Sequence, residues 1–159
     1  MKIIIPGGTG QVGTVLARAF HGDGHEVVVL GRSPEKQVWR TEKWDGKTLG
    51  DWAAEIDGSD VVINLAGRSV NCRYNDENRR QASTATIYAH RFDAPNGDVT
   101  GIIGGHEADA PDTWNFSIEV ATAWEKAAND ATTPKTRKVL MRSAMTMSPD
   151  RGSIFDVML

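Results

Sequence analysis

Apolar positions follow two alternating rhythms. Lys2-Ile3-Ile4-Ile5 is a short run rich in β-branched residues, which predicts a strand buried on both faces, as in a parallel sheet. Pro6-Gly7-Gly8-Thr9-Gly10 closes it as a tight turn. From Gln11 the period lengthens. Val12, Val15, Leu16, Ala19 and Phe20 share one helical face, and Gly22 and Gly24 stop the helix. Glu26-Val27-Val28-Val29-Leu30 predicts a second buried strand, completing a βαβ unit. Trp44-Asp45 stands where a third strand should end. Thr48 to Ile56 predicts a helix, with Leu49, Trp52, Ala53 and Ile56 on one face and Thr48 as N-cap. Val61 to Gly67 predicts another buried strand. A helix beginning near Asp112 carries Phe116, Val120, Trp124 and Ala127 on one face, and Lys138 to Arg142 reads as a late strand.

Length and composition narrow the class. The 159 residues suit one domain, and a formal charge of -3 gives no basic surface for nucleic acid. A single cysteine, Cys72, cannot form an internal disulfide. No apolar run reaches the roughly 18–20 residues of a membrane helix, so a cytoplasmic chain is expected. His90 and His106 lack the spacing and partners of a metal site, and no metal is expected. The five tryptophans are scattered, which reads as packing rather than a stacking platform.

Gly7, Gly10 and Gly13 form a G-x-x-G-x-x-G pattern at the first strand-to-helix junction. Gly7 allows the turn, Gly10 lets backbone approach a pyrophosphate, and Gly13 lets the helix pack close to the sheet. The helix N-terminus then presents free N–H groups to the anion. A structural turn would use the same residues, but the βαβ context favours a dinucleotide, with Thr9, Gln11 and Val12 completing the loop. Binders of NAD usually place an acid at the end of the second strand. Here Leu30-Gly31-Arg32-Ser33-Pro34 has none. Arg32 can pair with a 2′-phosphate and Ser33 can add a hydroxyl, so NADP is expected and NAD is the alternative; a solvated loop arginine is the plainer account. Leu65, Ala66 and Gly67 end the fourth strand in small residues over which a cofactor can lie. Trp44-Asp45 borders either an adenine pocket or a surface turn at Asp45-Gly46.

These residues resemble the extended short-chain dehydrogenase/reductase superfamily, in its NAD-dependent epimerase/dehydratase group. The carriers are Gly7-Gly8-Thr9-Gly10-Gln11-Val12-Gly13, Arg32-Ser33-Pro34 and Asn64-Leu65-Ala66-Gly67. Ser83-Thr84-Ala85-Thr86-Ile87-Tyr88 looks like the fifth strand of that group. Trp44-Asp45, Trp124-Glu125 and Arg142 are similar to the atypical, YfcH-like epimerase-family branch. The resemblance implies an α/β fold, a doubly wound parallel Rossmann sheet of strand order 3-2-1-4-5-6. It also implies a small-molecule substrate such as a nucleotide sugar or another small carbonyl or alcohol, and admits a homodimer. Ser83 and Thr84 are its candidate catalytic residues, although polar residues also cap strands. Arg142 faces a substrate anion or makes an ion pair.

Three departures stand beside the resemblance. Phe116 and Val120 occupy the spacing of the superfamily's catalytic Tyr-x-x-x-Lys, and neither can move a proton. The connection from Gly67 to Ser83 lacks an apolar helical stripe, so Arg80-Gln81 reads as a join across missing sequence; a natural deletion, an edited chain or omitted residues would look alike. The whole of residues 1–159 then reads as one NAD(P)-binding domain, with a truncated substrate domain beginning near residue 150. The functions left open are an NADP(H)-dependent oxidoreductase or epimerase, a non-catalytic NADP(H)-binding or redox-sensing module, and an inert fragment.

Overall fold

The computed structural model describes residues 1–33, 36–67, 88–89, 102–103, 112, 115–141 and 148. The chain divides into two compact units, Met1–Gly67 with Thr146–Leu159, and Arg68–Met145.

In the first unit, β1 (Lys2–Pro6) and β2 (Glu26–Gly31) pair in parallel, Lys2 opposite Glu26 and Pro6 opposite Leu30. β3 (Arg40–Lys43) pairs with β2, and β4 (Val61–Val62) pairs with β1, both in parallel. The resulting order β3-β2-β1-β4 is the first four strands of the expected Rossmann order. Ile3, Ile4, Ile5, Val28, Val29 and Leu30 are fully buried, each worth roughly 1.5–3 kcal/mol of transfer free energy. Side chains alternate across the sheet. Ile3, Ile5, Val27 and Val29 pack with Ala17 of α1 (Gln11–Gly22), and with Leu16, Phe20 and Trp39. Ile4, Val28 and Leu30 face the other way, against Trp44 and Trp52.

α1 ends where its glycines require. Gly24, at φ +80°, donates to the His21 carbonyl and His25 donates to that of Phe20. That pair of bonds is the Schellman closure of a helix.

Charged residues gather at the amino ends of the strands. Glu55 in α2 (Ala53–Ile56) pairs with Lys2 at 3.2 Å and with Arg40, while Arg40 also lies 3.8 Å from Glu26 and from Glu42. The Lys2 ammonium first, then the Arg40 charge, holds the Glu55 carboxyl below its usual range. Asp60, before β4, accepts the Lys2 N–H at 2.6 Å.

Five expectations are corrected. The helix foreseen from Thr48 shrinks to Ala53–Ile56. Thr48 is bonded back to Asp45 instead, Gly50 interrupts the run, and Leu49 is 85% exposed. Tight bonds from Ala53, Ala54 and Glu55 to carbonyls three residues back replace the longer helix. The strand from Val61 is not buried: Val61 and Val62 are 36% and 45% exposed, because β4 is the outermost strand of its sheet. Its ladder nevertheless continues, since Ile63 donates to the Ile4 carbonyl and Leu65 to that of Pro6.

The other three lie in the second unit. β5 (Tyr88–Ala89) pairs antiparallel with β6 (Ile102–Ile103) as a sheet of its own, where the sequence reading placed a parallel fifth strand and then a loop. Residues 138–141 form no strand, and Val139 and Met141 are 62% and 81% exposed. α3 (Asn115–Asp130) lies beside β6 and buries Val120 and Ala121, while Trp124 is 50% exposed. Phe116 and Val120 of the foreseen stripe are covered, together with Ile118, Ala121, Glu125 and Ala128, whereas Trp124 and Ala127 are exposed. Lys138 donates to the carbonyls of Ala128, Asn129 and Ala131 at 2.6, 2.9 and 2.7 Å and so closes the end of α3.

Candidate functional site

Parallel pairing sends the carboxyl ends of β1, β2 and β4 to one rim of the sheet, and the glycine turn crosses it. Gly7 leaves β1 at φ +75°, a conformation that L side chains rarely adopt. Its N–H donates to the Leu30 carbonyl at 2.8 Å, fixing the turn to the end of β2. A Cβ on Gly7 would stand 2.6 Å from the Ala66 nitrogen, so the residues after β4 pass directly against the turn. Gly13 is set by packing: its Cβ would meet the Gly8 Cα at 2.3 Å.

Gly10 differs. Among the described residues, an added Cβ would have only the Gly7 carbonyl oxygen within 4 Å, at 3.7 Å. Gly10 is also the N-cap of α1. No side chain caps this helix end and its first turn holds no acid. The Gly10 carbonyl accepts the Thr14 N–H and hydroxyl at 2.9 and 3.0 Å. An uncapped, acid-free N-terminus beside a bare backbone turn is chemically suited to an anion.

Arg32 and Ser33 follow β2 directly and are exposed. No carboxylate pairs with Arg32 among the described residues. Leu65 packs onto the core from the α1 side, and Ala66 donates to the Asn64 side chain at 3.0 Å, turning the chain at the rim. Gly7, Thr9, Gly10, Gln11, Val12, Gly13, Arg32, Ser33, Leu65, Ala66 and Gly67 are thus placed at or beside the carboxyl ends of three adjacent strands. One contact was not foreseen: Gly31, the last residue of β2, lies against Thr9. A glycine closing a strand with no turn to require it was the available signal.

Beyond β3, Trp44-Asp45 takes the surface-turn account. Asp45 accepts the backbone N–H groups of Lys47 and Thr48 and the Thr48 hydroxyl, each at 2.8 Å, and Gly46 sits at φ +83°. That is a surface turn. The same residues line an open cavity of about 330 Å³ with Thr48, Asp51 and Trp52. Trp44 and Trp52 have ring centroids 5.0 Å apart, and the buried Trp44 Nε1 has no hydrogen-bond partner among the described residues. The Trp44 N–H donates to the Gly31 carbonyl at 2.9 Å, tying this cavity to the β2 end.

Ser83 and Thr84, the candidate catalytic residues, lie outside the described residues, as do Cys72, His90, His106, Arg142 and the Arg80-Gln81 junction. Phe116 is half-buried and Val120 buried on α3. Among the described residues no cluster of metal-ligating side chains forms, and no helix is long and apolar enough to cross a membrane.

The chain is similar to known proteins. The epimerase family protein SSP1921 of Staphylococcus saprophyticus is 28% identical over 170 aligned positions, which take in 95% of this chain and 57% of that protein. The bovine epimerase family protein SDR39U1 is 27% identical over 176 positions, with 100% and 59% covered. The chain therefore spans under three fifths of the length of these relatives. Among solved structures, human epimerase family protein SDR39U1 (isoform 2) with NADPH superposes at a TM-score of 0.70 and 22% identity, over 99% of this chain and 58% of that one. UDP-N-acetylglucosamine 4-epimerase from Bacillus cereus gives 0.50 and 19%, over 82% and 51%. These likenesses establish the fold. The family model of the NAD dependent epimerase/dehydratase family matches residues 3–92, which is more than half of the chain and contains the whole glycine-crossed rim, and the protein is a member of that family.

Proposed function

We propose that the chain is the cofactor-binding domain of an NADP(H)-dependent oxidoreductase or epimerase of the extended short-chain dehydrogenase type. A nucleotide sugar or another small carbonyl or alcohol is its substrate class. The observation that carries the reading is the β2 end: residues 27–33 contain no acid, and Arg32 and Ser33 stand exposed beside the glycine turn. The NADPH in the human relative's structure agrees with this choice, and NAD is the weaker alternative.

The residues present fit a dinucleotide. The space over Gly10 and the uncapped start of α1, through Gln11 and Val12, receive the pyrophosphate. Gly7 and Gly13 keep the turn close to the sheet, and Thr9 supports it. Arg32 and Ser33 hold the 2′-phosphate. Trp44 borders the adenine, and Leu65, Ala66 and Gly67 lie along the other side. The bound nicotinamide supplies or accepts a hydride. Ser83 and Thr84 hydrogen-bond and polarise the substrate oxygen. We place the protein in the cytoplasm, acting on a small molecule as a homodimer.

A second reading, a non-catalytic NADP(H)-binding or redox-sensing module, is favoured by one observation. Phe116 and Val120 take the acid/base spacing on α3 as packed apolar side chains.

Titration calorimetry with NADPH and NADH tests the cofactor site. Arg32→Ala should weaken NADPH roughly tenfold to a hundredfold, the worth of a charge-assisted bond, and leave NADH nearly unchanged. Gly10→Val should fold normally and lose both ligands. Tighter NADH than NADPH binding by the native chain, or equal losses for both in Arg32→Ala, would reject the NADP(H) assignment; undiminished affinity in Gly10→Val would reject the site.

A further inference from the structure

Gly31 closes β2 without any backbone reason to be glycine. The described glycines at positive φ are Gly7, Gly24, Gly46 and Gly58, and Gly31 is not among them. Glycine in a strand weakens it and marks a place where something else comes close. Here that neighbour is Thr9. A Cβ on Gly31 would lie 2.3 Å from the Thr9 Cγ2, 3.0 Å from its Oγ1 and 3.3 Å from its Cβ.

Neither side can withdraw freely. The Gly31 carbonyl is held by the Trp44 N–H at 2.9 Å, and the carbonyl before it by the Gly7 N–H at 2.8 Å. Thr9 is carried by a turn fixed on both sides, Gly8 donating to Ile5 at 3.0 Å and Gly10 to Gly7 at 3.3 Å. Rotating Thr9 about χ1 does not clear the space. Two of the three staggered positions on its Cβ face Gly31, and threonine has two heavy atoms to place, so one of them always stays there.

In dinucleotide sites of this topology, an acid near the end of the second strand accepts the ribose hydroxyl groups and disfavours a 2′-phosphate. We propose that Thr9 and Gly31 form a mated steric pair that bars an acidic side chain from the end of β2 and so reserves the adenosine ribose site for a 2′-phosphate. The proposal rests on the dinucleotide reading above. It makes Thr9, a residue of the phosphate turn, a positioning residue for cofactor choice, acting through Gly31 and not through a bond of its own to the 2′ group.

The test compares the native 159-residue chain with Thr9→Ser, Gly31→Asp and the double variant, by thermal melting and by calorimetric titration with NADPH and NADH. Serine has a single heavy atom that can rotate away. Gly31→Asp alone should lower the melting temperature by roughly 4–10 °C, the cost of forcing atoms into a packed site, and bind both dinucleotides poorly. Thr9→Ser alone is the reference against which the double variant is read. The double variant should recover most of the lost melting temperature and reverse the NADPH:NADH preference by roughly tenfold to a hundredfold in favour of NADH. Should the aspartate variants fail to fold, Gly31→Ala, made alone and together with Thr9→Ser, reads the same clash. A Gly31 variant that melts like the native chain while Thr9 is present would overturn the pair. So would a folded double variant that still prefers NADPH. If the native chain binds neither dinucleotide, the dinucleotide reading itself fails, and the melting comparison still decides whether Thr9 excludes a side chain at position 31.

Discussion

The Asp45 carboxylate accepts three hydrogen bonds, from the Thr48 and Lys47 backbones and the Thr48 hydroxyl, and these lower its pKa from 3.8 to about 2. A depressed carboxylate stabilises the folded turn fully above its unfolded value and loses that contribution as pH falls through its folded value. The turn at residues 45–48 is therefore expected to hold down to about pH 3.8 and to loosen toward pH 2. An NMR titration of the Asp45 carboxyl carbon and the Thr48 amide should give a midpoint near 2; a midpoint near 3.8 would show the turn bonds do not persist in solution. At this scale much was readable in advance. Asp45-Gly46 announces a turn because Asx side chains bond the following backbone and glycine takes positive φ. Gly7, Gly10 and Gly13 carry spacing that only one strand-to-helix junction uses. For the contact of Thr9 with Gly31 the sequence offered only a glycine closing a strand with no turn to require it; the partner was not readable, because the register of β1 against β2 decides it.

Among the elements, legibility followed burial. β1 and β2 are continuous β-branched runs, and the interior holds them without competition. α1 carries a full apolar stripe and a Schellman end. Where a stripe is short, local bonds decide instead. Thr48 serves the Asp45 turn, Gly50 gives no helical preference, and only Ala53–Ile56 remain helical. In α3 the apolar stripe held in its first half, where Phe116 and Val120 are covered, and failed in its second, where Trp124 and Ala127 are exposed. Lys138 belongs to this scale. Its ammonium meets three carbonyls that the end of α3 leaves without helical partners, where a cation is favourable. Lys138→Met keeps the chain length and removes the charge and donors. It should cost about 1 kcal/mol, or roughly 2–4 °C of melting temperature, and speed amide exchange in the last turn of α3. Unchanged melting and exchange in Lys138→Met would show the clamp is not populated.

At the scale of the whole molecule, the alignment with a relative is longer than the chain itself. The bovine protein aligns over 176 positions and the chain has 159 residues. β4 is half-exposed, and residues 68–80 lack the apolar periodicity of a crossover helix. Parallel sheets are covered on both faces, and each crossover supplies part of that cover. We propose that the parent sequence holds a further helix between Arg80 and Gln81. Reading the coding sequence across those two codons should reveal an insertion of a dozen or more residues with helical periodicity, on the order of what a crossover needs. Adjacent codons with nothing between them would instead make this a natural minimal domain. The antiparallel pairing of Tyr88–Ala89 with Ile102–Ile103 was not legible in the sequence, since two-residue strands leave no periodic trace.

The charged residues at the amino ends of the strands have a consequence for how such a domain can change over generations. Lys2, Glu26, Arg40 and Glu55 sit at one rim and the glycine turn at the other, with the Ile3–Ile5 core between them. Exposed ion pairs contribute little individually and are easily exchanged. Heat tolerance can therefore drift through substitutions at the charged rim while ligand recognition stays fixed at the opposite one. The parallel sheet separates the inheritance of robustness from the inheritance of chemistry.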